Sequence, residues 1–241
     1  MPPTTPARTP VLLVDVGGVL LLHNHEQLLP IVARHGGLET VEAFHRAHYA
    51  CHHESRPSSG PGIDYFEIFG DHARIPEANR AAFDEEYRAF HRIRNRCNWP
   101  DPAAKRTLQQ LVTDGIPVAV VSQADGTIEQ MLLAAEMCQT GDGPGVRVDT
   151  IVDSAVVGFD KPDPRLFLHA LEQIGADPSQ AVHVGDTVRA DVRGAQAAGI
   201  TAIHYDPFDN CEDAPDDHDH IRTLEEIRPI LAAIEARLAA T

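Results

Sequence analysis

The 241-residue chain is short of positive charge, of aromatic side chains and of cysteine. Against 36 Asp and Glu it sets 20 Lys and Arg, a formal net charge of -16. That balance argues against nucleic acid or an anionic membrane surface as partner, since both attract basic proteins. An acidic protein that handles anions needs a local cation, which points towards a bound metal. The 4 cysteines, Cys51, Cys97, Cys138 and Cys211, lack CxxC spacing. Without an export signal they read as reduced thiols, so the expected compartment is cytoplasmic. No apolar run reaches the roughly 20 residues of a membrane-spanning helix, and no internal repeat is visible. The opening MPPTTPARTP has four prolines, one Arg and no apolar core. Residues 1–10 are therefore expected to be a disordered leader, not a signal peptide.

Four short apolar runs are present: 11–14 ending at Asp15, 118–121 ending at Ser122, 181–184 ending at Gly185-Asp186, and 202–205 ending at Asp206. Runs of this length closed by turn residues read as buried strands of a parallel sheet; 150–152 is a weaker candidate. Between the later runs lie helical stretches, 101–114, 127–137, 165–174 and 190–198, with Gly115, Gly175 and Gly199 as stops. The alternation implies an α/β fold with a doubly wound, Rossmann-like parallel sheet. Ligands bind such sheets beyond the carboxyl ends of the strands, so Asp15, Ser122 and Asp186 should converge on one cleft.

Residues 24–98 interrupt the alternation with helices expected at 26–35, 40–53, 64–69 and 77–96, the last carrying an apolar stripe at helical spacing. Residues 55–62, rich in Pro, Gly and Ser, read as a loop. The expected organisation is a core of residues 11–23 and 99–241 with a helical cap at 24–98. Residues 210–220 read as an acidic loop and 223–240 as a final amphipathic helix.

Four segments can carry chemistry. In Val14-Asp15-Val16-Gly17-Gly18 a strand-ending Asp precedes two glycines, a turn whose free backbone amides can hold an anion; the ordinary alternative is a turn-capping Asp. In Ser122-Gln123-Ala124-Asp125-Gly126 the hydroxyl can bind a phosphoryl oxygen or cap the next helix. Asp160-Lys161-Pro162-Asp163-Pro164 presents an ammonium on a proline-stiffened loop, where it can stabilise an anionic nucleophile or simply face solvent. In Gly185-Asp186-Thr187-Val188-Arg189-Ala190-Asp191 two carboxylates across a strand-to-helix turn can share one hard cation.

In order and position these segments resemble the four motifs of the haloacid dehalogenase (HAD)-like hydrolases, over nearly the whole chain, and the helical block resembles that superfamily's C1-type cap. The resemblance implies a phosphatase with Asp15 as nucleophile and Ser122 and Lys161 as phosphate-orienting groups. Gly17, Gly18 and Gln123 would join them in holding substrate. Mg2+ would be held by Asp15, Asp186 and the Gly17 carbonyl, with Asp191 in support. The implied substrate is a small phosphorylated metabolite: a sugar phosphate, a nucleotide or a specialised-metabolite phosphate. A monomer or homodimer would suffice.

One residue departs from the pattern. Phosphatases of the superfamily usually carry a second Asp two places after the nucleophile as general acid and base, and here Gly17 stands there. A good leaving group would tolerate this, or His23 or a cap histidine would donate the proton. The remaining reading is a non-catalytic phospholigand-binding protein on the same scaffold. Carbon–halogen hydrolysis, the rival chemistry of the superfamily, needs no such Asp, but the Gly185-Asp186 pair favours a metal-dependent phosphatase. Nine of the 14 histidines lie between His23 and His91. His45, His48 and His52 fall on one face of a helix, to line the cleft or to lie half-buried or facing solvent.

Overall fold

The computed structural model describes residues 9–54, 65–93, 97–211 and 217–240. The chain enters through strand β1 (Val11–Val14) and the short strand β2 (Leu21–His23). Four helices follow, α1 (His25–Arg34), α2 (Val41–Glu54), α3 (Tyr65–His72) and α4 (Glu77–Ile93), and β3 (Cys97–Pro100) returns. Then come α5 (Pro102–Thr113), β4 (Val118–Ser122), α6 (Ile128–Ala134), β5 (Cys138–Thr140), β6 (Val146–Val148) and β7 (Thr150–Asp153). The chain continues through α7 (Ser154–Val157), α8 (Pro164–Ile174), β8 (Ala181–Gly185), α9 (Arg193–Ala197), β9 (Thr201–Tyr205), β10 (Asp219–Ile221) and α10 (Ile227–Ala239).

Six strands form one parallel sheet in the order β10-β9-β8-β1-β4-β7. Its central strands are apolar on both faces because both are covered. Leu12 and Val14 join one buried cluster with Val118, Val120, Val182 and Val184. Val11 and Leu13 join the other, with Ala119, Val121 and the helix residues Leu166 and Phe167. From β1 the chain winds outward first through β4 and β7, then back through β8 and beyond. The crevice at this reversal lies at the carboxyl ends of β1, β4 and β8, where an open α/β sheet binds ligands.

Helices α1 to α4 enclose an apolar cluster of their own, including Leu28, Phe44, Phe69, Phe83 and Tyr87. They are joined to the sheet through an antiparallel ribbon of β2 and β3, with Leu22 opposite Trp99. Tyr49 of α2 reaches from this block to the core, where its hydroxyl donates to the Gly18 carbonyl.

Two expectations change. The tail expected as a loop contains β10, which pairs in parallel with β9; an edge strand that faces solvent needs no apolar run. The helix expected at 190–198 starts instead as a π-helical turn, Val188–Val192, and becomes regular only in α9. Asp191 N and Val192 N both donate to the Thr187 carbonyl, widening the turn beneath Asp186. The helix expected at 77–96 is described to Ile93. Positions 1–8, the 55–62 loop, 94–96 and the side chain of His52 lie outside the described residues.

Candidate active site

Asp15 follows β1 directly, and its N–H donates to the Val184 carbonyl, so the parallel pairing with β8 sets its position. Lys161 arrives from the loop before α8. Its Nζ lies 2.7 Å from Asp15 Oδ1 and 2.6 Å from Asp191 Oδ1. Asp191 is held further by His183 Nε2 at 3.0 Å on Oδ1 and by the Thr187 N–H at 3.1 Å on Oδ2. Thr187 also donates its hydroxyl to Asp186 Oδ1 at 3.1 Å. Two glycines make this packing possible. Gly18 has φ +76°, and a Cβ there would overlap the Asp186 carboxylate, while a Cβ on Gly185 would overlap that of Asp191. Only glycine lets these backbones and carboxylates approach so closely.

Asp15, Asp186 and Asp191 are all buried, with one carboxylate oxygen of each within 4.8 Å of the others. The Asp15 carboxyl is pushed up to about 7: burial does most of this, Lys161 opposes it, and Asp191 and Asp186 add to it. Burial would raise Asp191 too, but Lys161 and His183 hold its carboxyl far below the usual carboxylate range. Burial alone would lower Lys161, yet Asp15 and Asp191 hold its ammonium above its ordinary value. Asp15 and Asp191 thus share one ammonium, with the Asp186 carboxylate beside them, in a buried cluster. Hard oxygen donors with uncompensated negative charge are what Mg2+ binds, so Asp15 and Asp186, supported by Asp191, fit that ion.

A cavity of about 640 Å³ opens above this cluster. Asp15, Gly17, Ser122, Gln123, Lys161, Asp186 and Asp191 all line it. Gly18 is not in the lining and stands behind Asp186. Ser122 is buried at the end of β4, and α6 starts only at Ile128 with Thr127 before it, so the serine does not cap that helix.

Other residues shape the site without having been legible as candidates. Asp153 Oδ2, at the end of β7, accepts from Gly126 N and Ile128 N at 2.9 and 3.2 Å and so holds the Ser122–Ile128 loop in shape. His183, inside β8, supports Asp191. Cys97, at the start of β3, joins the lining beside Gly17. The strand run 150–152 carried a signal for Asp153; His183 and Cys97 carried none. His23, His45 and His48 are absent from the lining. His48 bonds the hydroxyls of Tyr65 and Tyr87 and stacks on Phe69, and His45 Nε2 lies 3.2 Å from His25 Nδ1. Neither lines the cleft, and both are buried in the helical block, not half-buried or facing solvent as the alternative expected.

A fold and site of this kind define a hydrolase built around a strand-ending carboxylate. A model of the haloacid dehalogenase-like hydrolase family matches residues 9–199, and the chain belongs to that family. It is 33% identical over 138 residues to mouse haloacid dehalogenase-like hydrolase domain-containing protein 3, covering 55% of this chain and 52% of that one. It is 32% identical over 122 residues to the ribulose-1,5-bisphosphate 5-phosphatase of Halopiger xanaduensis, covering 51% and 48%. The chain therefore spans about half the length of these curated relatives. Its fold matches a magnesium-bound structure from Bacillus subtilis with a TM-score of 0.56 at 19% identity, covering 93% of this chain and 99% of that one.

Proposed function

We propose that this hydrolase is a magnesium-dependent phosphatase that cleaves a small phosphomonoester through an aspartyl-phosphate on Asp15. The observation that carries the reading is the single buried cluster of Asp15, Lys161, Asp186 and Asp191 beneath a polar cavity. Lys161 fixes Asp15 Oδ1, leaving Oδ2 to attack phosphorus. The Oδ2–P bond forms as the ester P–O bond breaks, and the departing alkoxide takes a proton from solvent water. Water then attacks the acyl phosphate, the P–Oδ2 bond breaks, and phosphate leaves with the carboxylate restored. Ser122, Gln123 and the Gly17 backbone, which line the cavity, would hold the phosphoryl oxygens, with Gly18 shaping the turn. When bound, Mg2+ supplies positive charge to those oxygens. Asp15, Asp186 and the Gly17 carbonyl would hold it; Asp191, both of whose oxygens already accept hydrogen bonds, would position Lys161 and the Asp186 turn.

Position 17 limits the substrate. Asp125, at the cavity rim, is a poor replacement acid, because Thr127 hydrogen-bonds its carboxylate and lowers its pKa. A leaving group that needs little protonation fits this cavity. The phosphatase name of the Halopiger relative supports a small phosphorylated metabolite as substrate. Among the described residues no helix is long and apolar enough to cross a membrane. The helical insertion would act as a cap, pivoting on the β2–β3 ribbon to exclude water.

The test is phosphate release from a panel of phosphomonoesters, with Mg2+ and with EDTA, by wild type and Asp15→Asn. Release that needs the metal and vanishes in Asp15→Asn is expected. Halide release from haloacids would overturn the reading. Tight phosphate-ester binding without turnover would favour the non-catalytic protein that Gly17 alone suggests.

A further inference from the structure

At the β9–β10 edge of the sheet, with none of its side chains in the cavity lining, three histidines and a cysteine meet. His204 lies in β9 and pairs in register with His220 of the edge strand β10. His218 stands just ahead of β10, two residues before His220, and its ring lies beside both of the others. Ring centroids are 5.1 Å apart for His204 and His220, 5.4 Å for His204 and His218, and 4.5 Å for His218 and His220. Cys211 comes from the loop after β9. Asp206 fixes that loop, accepting from Asn210 N at 3.0 Å and from Cys211 N at 2.8 Å. One nitrogen or sulfur from each of the four side chains lies within 4.8 Å of the others.

We propose that His204, Cys211, His218 and His220 form a second metal site, for Zn2+ or a transition ion of similar character, separate from the carboxylate cluster. The donor set is the first reason: imidazole and thiolate select zinc-like ions, whereas Mg2+ takes oxygen. Geometry is the second. A tetrahedral ion with Zn–S of about 2.3 Å and Zn–N of about 2.0–2.1 Å sets sulfur and nitrogen about 3.6 Å apart. Cys211 Sγ and His218 Nε2 are 3.6 Å apart, and small torsional shifts close the remaining pairs. The third reason is support from outside the cluster. His204 Nε2 lies 3.2 Å from the Asp186 carbonyl, where its N–H can donate. A ligating histidine typically anchors its second nitrogen in this way, and Nδ1 is then the metal-facing atom. Access is graded: His204 and His218 are buried, Cys211 is half-buried and His220 is exposed, which gives an ion an entry path. Four protein ligands leave no open position, so the site is structural. It would fasten the edge strand and the 206–211 loop to the sheet and, through His204, to the backbone of Asp186.

The test uses tag-free full-length protein stripped of metal, titrated with Co2+ alone while excess Mg2+ saturates the carboxylate cluster. Wild type is expected to bind one equivalent and to show a near-ultraviolet thiolate-to-cobalt charge-transfer band with strong four-coordinate visible bands. Cys211→Ser should lose the charge-transfer band, and His218→Ala should bind at least about tenfold more weakly. Asp186→Asn should keep the spectrum. Circular dichroism checks that each variant is folded. Zn2+ should raise the Tm of wild type and leave that of Cys211→Ser unchanged, a readout independent of turnover. Three outcomes overturn the site: no charge-transfer band in wild type, bands unaltered in both Cys211→Ser and His218→Ala, or loss of the spectrum in Asp186→Asn alone.

Discussion

At position 17 a side chain is missing that the space around it would admit: a Cβ there lies 3.9 Å from Cys97 Sγ, an ordinary contact. Gly17→Asp should therefore fold normally and place a carboxyl beside the cavity. If leaving-group protonation limits turnover, the variant should hydrolyse esters of poor leaving groups about 10² faster, the lower end of what a general acid contributes. Rates compared across leaving groups of graded pKa decide this; an unchanged slope would mean that the proton already has another source. The next residue behaves in the opposite way. Gly18 has φ +76°, and any Cβ would push on the Asp186 carboxylate. Gly18→Ala should weaken Mg2+ binding by about tenfold to a hundredfold, the usual cost of disturbing a ligand's support. Calorimetric titration with Mg2+ would measure it, and an affinity within twofold of wild type would remove Asp186 from the ligand set. Adjacent glycines thus serve different needs, one an absent function and the other a close approach.

Among the elements, the long apolar strands were legible and the short polar ones were not. β1, β4, β8 and β9 each bury residues on both faces, and that demand writes a continuous apolar run into the sequence. β2, β3 and β10 are three or four residues long and half-exposed in part; their pairing is a property of the fold, with no local pattern to announce it. The same distinction divides the site. Asp15, Ser122 and Asp186 were legible because strand ends gather ligands, whereas His183 is hidden inside a strand whose interior reads as core. The histidines of the insertion show how a helical face can mislead: a stripe at i, i+3 signals burial as readily as catalysis. His45 carries a consequence for stability. Burial, and then its neighbour His25, lower its pKa from 6.5 to about 4. The folded state therefore favours the neutral ring, and this stabilisation is fully present above about pH 6.5 and lost as pH falls towards 4. Wild type should lose about 1–2 kcal/mol more than His45→Gln between pH 7 and 5, measured by urea unfolding. Parallel curves for the two proteins would place His45 in contact with water.

Across the whole molecule, the net charge of -16 works against compactness, and the cleft concentrates the problem. Of the two lysines in the chain, Lys105 and Lys161, one is buried among three carboxylates and still leaves them in excess. A dication that binds the native cluster and not the unfolded chain must stabilise the fold by mass action, about 2.7 kcal/mol at a hundredfold excess over Kd. General screening of surface charge would also stabilise an acidic protein, but it depends on ionic strength and not on particular residues. The two effects separate cleanly. Mg2+ should raise Tm well above NaCl of matched ionic strength in wild type, and Asp186→Asn should abolish that excess while keeping the salt response. The variant's own metal-free Tm should rise, because one of three crowded carboxylates is gone. Equal responses to Mg2+ and NaCl in wild type would mean that the cluster holds no dication. The catalytic reading would then have to rest on the Lys161 ammonium for positive charge in the cluster.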